Sequence, residues 1–121
     1  MKIKEVNVPG IADFKLVFHE GKSPFVEILD FREQRIGHFQ FHYLDEGLLA
    51  DAVDIDLGYR GIGLGHEVIR FLNELRKNVF FPHHYESDMP QENSDLIGFD
   101  FPHLMVFEGL AQWHEMPRQA M

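Results

Sequence analysis

Residues 53–77 read VDIDLGYRGIGLGHEVIRFLNELRK, and this stretch predicts a strand, a glycine-rich loop and a helix in that order. Five apolar residues recur at the spacing of an amphipathic helix: Leu64, Val68, Phe71, Leu72 and Leu75. Glu67 in the first turn and Arg76-Lys77 in the last match the sign of the helix dipole. The sequence therefore predicts one long helix that follows the loop and stops at Asn78.

Short runs of β-branched and aromatic residues alternate with polar ones ahead of this stretch, as is typical of antiparallel strands. The predicted strands cover residues 1–8, 14–19, 25–31, 36–44 and 48–55, and a buried strand follows the helix at residues 79–81. In the fifth strand, alternation places Leu49, Asp51, Val53 and Ile55 on one side. The predicted fold class is α+β, with a mixed, mostly antiparallel sheet.

The pattern is weaker beyond the last of these strands. A short helix is expected near residues 91–97, and residues 105–110 are expected to form a last strand. The tail, residues 113–121, either docks on the domain or is loose.

Length and composition limit the classes of protein to consider. A chain of 121 residues predicts a single domain over residues 1–121. The absence of cysteine excludes disulfides, thiolate metal sites and cysteine nucleophiles. The 8 histidines form no spaced ligand set, so no metal site is expected. The sequence shows no signal peptide or membrane-spanning stretch, which predicts a cytoplasmic location.

The net charge of −9 opposes binding to nucleic acid and to anionic membranes, so neither is an expected partner. An acidic surface favours cationic acceptors such as amines. The same acidity also keeps a protein in solution, and charge alone therefore names no substrate.

The loop Arg60-Gly61-Ile62-Gly63-Leu64-Gly65 places backbone amides at a helix N-terminus, where the dipole favours an anion. Glycines allow a phosphate to approach closely. The dinucleotide-binding motif is excluded because His66 stands where its third glycine belongs. The nucleoside-triphosphate loop is excluded because no Lys-Ser or Lys-Thr follows the glycines.

The same six residues resemble the Arg/Gln-x-x-Gly-x-Gly/Ala signature of the Gcn5-related N-acetyltransferases (GNAT), which lies between a strand and a long helix. The resemblance implies a sheet that splays beside the loop, with the pantetheine of acetyl-CoA in the gap. It implies that the backbone near Val53 and Ile55 pairs with pantetheine. The amides of Gly61, Ile62, Gly63, Leu64 and Gly65 would hold the diphosphate, with help from the Arg60 side chain or backbone.

The resemblance also implies direct transfer of the acetyl group to a primary amine, either a protein lysine or a small amine. Such transfer needs a base and often an acid. Asp51 is preferred as base over Asp54, because alternation places it on the side of Val53. Tyr85 is the candidate acid, and His84, in the pair His83-His84, is a further candidate.

The chain departs from the family pattern in two regions. Asp95-Leu96-Ile97 replaces the usual tyrosine before Gly98-Phe99, and strands and turns stand where the family has a helical pair after its first strand. The resulting open side would suit a large acceptor such as a protein lysine, or a second copy in a homodimer. The alternative function is a catalytically weak or inactive binding module of the same fold. Such a module would act through protein–protein contact, using its acidic surface or its phenylalanine-rich strands.

Overall fold

The computed structural model describes residues 1–82 and 101–114. Its seven strands form one sheet in chain order: β1 (Lys2–Val8), β2 (Ala12–His19), β3 (Phe25–Leu29), β4 (Arg35–Leu44), β5 (Gly47–Ile55), β6 (Val79–Pro82) and β7 (Gln112–His114). Strands β1 to β5 pair antiparallel, and β5, β6 and β7 pair parallel. The helices are α1 (Leu64–Glu74) and α2 (Phe101–Phe107), with a 3-10 turn at Leu57–Tyr59.

A single hydrophobic core lies between one face of the sheet and the helices. The predicted face of β2 is buried, since Phe14, Leu16 and Phe18 are at most 2% exposed. The buried residues of α1 are Leu64, Val68, Ile69, Phe71 and Leu72, which adds Ile69 to the predicted stripe. Each such side chain contributes about 1.5–3 kcal/mol of transfer free energy. The predicted antiparallel first half and the helix after the loop are thus confirmed.

Helix α1 ends earlier than its charge pattern predicted. Its last residue is Glu74, and Arg76 lies beyond it in the left-handed conformation with φ 64°. The amide of Arg76 donates to the carbonyl of Asn73, and that of Lys77 donates to the carbonyl of Leu72. These two bonds form a Schellman motif, which ends the helix. The two basic residues therefore follow α1 instead of forming its last turn.

The predicted alternation in β5 is wrong, because this strand contains a β-bulge. Gln40 pairs with Ala52, but the next residue, Phe41, pairs with Ala50, so Asp51 is the extra residue. A bulge shifts the side-chain period by one residue. For this reason Leu48 and Ala50 are buried before Asp51, whereas Ile55 is buried after it. Leu49 does not share a side with Ile55.

The expected strand at residues 105–110 is wrong, because residues 101–107 form helix α2. Phe101 and Met105, one helical turn apart, are both buried. Gly109, with φ 78°, reverses the chain, and the amide of Leu110 donates back to Met105. The described residues thus contain a second helix besides α1, where the sequence predicted a strand.

The remaining expectations for the C-terminal part have mixed outcomes. Residues 112–114 form β7 on the edge of β6, so the start of the tail docks on the domain. The expected helix near 91–97 and residues 115–121 lie outside the described residues. None of the helices in residues 1–82 and 101–114 has the length and apolarity required to cross a membrane.

The parallel pairing of β5 with β6 is short. Its register joins only Leu48 to Val79 and Leu49 to Phe80. Within the part of the chain that the structure describes, the rest of β5 has no strand along this edge. Among the described residues, the sheet is therefore open beside the C-terminal half of β5, directly before the glycine-rich loop.

Candidate functional site

A cleft of about 200 Å³ lies beside the open end of β5. The glycine-rich loop and the start of α1 form one side, and α2 forms another. Seven residues that the sequence assigned to the cofactor line it: Val53, Ile55, Arg60, Gly61, Gly63, Leu64 and Gly65. Ile62 also belongs to the predicted set but is not part of the lining.

The backbone amides of residues 61–66 have no acceptor among the residues that the structure describes. Gly61 and Gly63 adopt φ 78° and 94°, a region that favours glycine. The first bond of α1 runs from the amide of Glu67 to the carbonyl of Gly63, at 3.1 Å. In residues 1–82 and 101–114, no amide of residues 61–66 donates a hydrogen bond. The loop therefore offers a row of free donors at a helix N-terminus.

The glycines at 63 and 65 serve different purposes. A Cβ on Gly63 would meet nothing within 4 Å, so this position borders open space. A Cβ on Gly65 would lie 3.0 Å from Cε1 of Phe101 and 3.5 Å from Cζ of Phe39. Gly65 thus allows α2 to pack closely against the first turn of α1, which sets the width of the cleft.

Arg60 fastens the loop to β5. Its Nε donates to the carbonyl of Ile55, and its Nη2 lies 3.7 Å from Oδ1 of Asp54. Its backbone amide donates to the carbonyl of Leu57 at 3.4 Å. The Arg60 side chain is only 15% exposed. Both the side chain and the amide are therefore already engaged within the chain.

Among the described residues, no strand pairs with the edge of β5 that faces the cleft. The amide of Asp56 donates to the carbonyl of Ile36 on the β4 side, at 2.7 Å. Successive residues of a strand direct their backbone groups to opposite edges. The backbone of Val53 and the amide of Ile55 therefore face away from β4, towards the opening, where an extended ligand can pair with them. The carbonyl of Ile55 on the same edge already accepts from Nε of Arg60.

The structure does not bring Asp51 into the lining of the cleft. Its side chain is 50% exposed, and its Oδ2 lies 3.4 Å from Nδ1 of His42. Asp54 is also exposed and faces Arg60. The other candidates, His84 with its neighbour His83, and Tyr85, lie outside the described residues.

Sequence reasoning missed several lining residues. His66 lines the cleft, and its Nε2 lies 2.7 Å from Oε1 of Glu108, just beyond α2. Phe101, Leu104 and Met105 form the wall contributed by α2. Their i, i+3, i+4 spacing is a helical signal that identifies this wall once residues 101–107 are read as a helix.

Within residues 1–82 and 101–114, no group of three or more histidine, aspartate or glutamate side chains is placed to hold a metal ion. The cleft instead combines free amide donors, an exposed strand edge and apolar walls. This combination suits a ligand with an anionic end and an amide-containing chain.

Comparison with protein-family models, with curated proteins and with solved structures finds no match for this chain.

Proposed function

We propose that this protein is an acetyl-CoA-dependent N-acetyltransferase that transfers the acetyl group directly to a primary amine, of a protein lysine or a small molecule. The observation that carries the proposal is the cleft at the end of β5, with the free amides of residues 61–66 on one side. This proposal includes the GNAT arrangement that the loop signature resembles.

Each part of coenzyme A has a counterpart in the cleft. The diphosphate suits the amides at the start of α1, where the helix dipole also favours negative charge. Pantetheine carries two amide groups, which suit the open backbone of Val53 and the amide of Ile55. Phe39, Leu104 and Met105 supply apolar walls. The thioester would then lie along β5, beside the gap that opens after Leu49.

The reaction needs a neutral amine in contact with the thioester carbonyl carbon. A carbon–nitrogen bond forms, the carbon–sulfur bond breaks, the amine loses a proton and the departing thiolate gains one. Asp51, Tyr85 and His84 remain the candidates for these proton transfers. Asp51 lies in the bulge of β5, on the strand that borders the gap.

A binding module of the same fold is the second candidate, and one observation favours it. Asp51 is paired with His42 and does not line the cleft. A module of this kind would bind acetyl-CoA or a partner protein without transferring the acetyl group.

Binding is tested by thermal denaturation with acetyl-CoA. Saturating ligand should raise the Tm of the wild-type protein, because it binds only the folded state. Gly63→Ala should abolish the rise, since the new Cβ occupies open space beside the loop amides. Gly10→Ala is the matched control, because Gly10 has φ 78°, also borders open space and lies in the β1–β2 turn.

Both alanine variants should lose similar stability without ligand, since both strain a left-handed residue by about 1–2 kcal/mol. Only Gly63→Ala should lose the response to acetyl-CoA. An unchanged Tm of the wild-type protein at saturating acetyl-CoA contradicts the proposal. Release of free CoA in the presence of lysine peptides or small amines then distinguishes the enzyme from the binding module.

A further inference from the structure

His66 is a titratable side chain of the cleft that has no role in the predicted site. His66 is the third residue of α1 and lines the cleft. Its Nε2 is held 2.7 Å from Oε1 of Glu108, and its side chain is 25% exposed. Within the described residues, Nδ1 of His66 has no hydrogen-bond partner. One ring nitrogen is thus anchored, and the other is available to a ligand.

The charges around the cleft indicate that His66 can supply positive charge to an anionic ligand. Arg60 and His66 are the basic residues of the lining formed by the described residues. Arg60 already binds the carbonyl of Ile55 and lies near Asp54. A diphosphate that enters a protein of net charge −9 needs a nearby positive charge, and His66 can supply it when protonated.

Acidic groups near His66 both assist and oppose this role. Glu108 contacts the ring directly, and Glu67 is the next residue of α1. On the surrounding elements, the other charged or titratable residues include Arg70 one turn further along α1, Tyr59 and Arg60 before the helix, Asp54 in β5 and His103 in α2. Glu108 forms an ion pair with the ring only when the imidazole carries a proton. With a neutral imidazole, however, Glu108 and Glu67 would repel a phosphate.

We infer that His66 is the phosphate-binding side chain of the cleft, with Glu108 as its counterion in the ligand-free protein. The protonated ring keeps Nε2 on Glu108 and donates from Nδ1 to a phosphate oxygen of coenzyme A. Binding of the diphosphate therefore requires a proton on His66 and weakens as the pH rises. This inference rests on the proposed function, since the phosphate belongs to the acyl carrier.

The test measures the affinity for dephospho-CoA by calorimetry at about pH 6 and about pH 8. This ligand keeps the diphosphate but lacks the 3′-phosphate on the ribose of coenzyme A, which itself titrates at about pH 6. The wild-type protein should bind about 10-fold more weakly at the higher pH. His66→Gln should bind about 10-fold more weakly than the wild type at the lower pH, with no further loss at the higher pH.

Two further variants sharpen the result. His66→Lys carries a charge at both pH values, so it should bind dephospho-CoA with an affinity that does not change with pH. His19→Gln is the matched control, because His19 makes a similar 2.8 Å contact with Glu27 and is 29% exposed, but lies on β2 away from the cleft. It should behave as the wild type does.

The possible failures are distinct. If the wild-type protein binds dephospho-CoA and His66→Gln has the same affinity as the wild type at each pH, the role proposed for His66 is wrong. The proposed cofactor site is not contradicted by that result. If the wild-type protein binds neither dephospho-CoA nor acetyl-CoA at either pH, the proposed function fails. Thermal denaturation of each variant without ligand checks that it folds.

Discussion

One residue on the sheet face opposite the core, His38, is expected to make the stability of this protein depend on pH. Burial, together with the Arg35 guanidinium, lowers the pKa of His38 below 6.5, while Glu27 and Asp54 partly oppose the shift. The folded state therefore binds a proton at His38 more weakly than the unfolded chain does. The contribution of His38 to the free energy of unfolding is fully present above about pH 6.5. It is lost as the pH falls towards the folded-state pKa of His38.

We expect His38→Gln to reduce this acid sensitivity. Urea denaturation at about pH 7.5 and about pH 5.5 should show a smaller loss of unfolding free energy in the variant than in the wild type. His42→Gln, at an exposed position of the same strand, is the control. An equal loss in His38→Gln and wild type would show that His38 does not cause the acid sensitivity.

At the scale of elements, the end of α1 is stabilised by a motif with an unfavourable residue in it. Arg76 takes the left-handed position of a Schellman motif, which glycine usually occupies. A residue with a Cβ is strained there by about 1–2 kcal/mol. Glycine would relieve the strain but would add about 0.5–1 kcal/mol of backbone entropy cost on folding.

Arg76→Gly should therefore stabilise the protein by about 0.5–1 kcal/mol. The measurement is the midpoint of urea denaturation at constant m-value. Arg76→Ala removes the same charge but keeps a Cβ, so it should give no such gain. Equal stabilisation by both variants would mean that the charge of Arg76, and not its backbone conformation, limits stability.

At the scale of the whole molecule, one junction joins the antiparallel part of the sheet to its parallel part. Gly47 begins β5 directly against Asn78, whose carbonyl accepts the amide of Leu48 at 2.8 Å. The Asn78 side chain donates to the carbonyl of Glu46 at 3.1 Å. A Cβ on Gly47 would overlap the Asn78 carbonyl, which is backbone and cannot turn aside.

Gly47→Ala should consequently cost about 1–3 kcal/mol of unfolding free energy, measured by urea denaturation. Gly58→Ala is the control, because a Cβ there meets nothing within 4 Å and its φ is not left-handed. If the two variants are equally stable, the junction adjusts without cost and does not fix the position of β6 beside the cleft.

Much of the fold could be predicted because its signals are local. Alternation in β2 and β4 and the apolar stripe of α1 each depend on a few neighbouring residues, and the structure agrees with them. The loop at residues 60–65 was likewise identified from its glycines, and most of its predicted cofactor residues line one cleft. The side of Asp51 was not predictable, since a bulge depends on pairing between strands.

The order of residues alone determined a sheet, a helix and a loop that leaves its amides free, because chain geometry and side-chain period act over short distances. Tertiary structure alone decided that α2 closes one wall of the cleft, that His66 meets Glu108 and that Asp51 turns towards His42. These contacts join residues that are distant in the chain or belong to different strands. They arise only when the core packs and the register between strands is fixed.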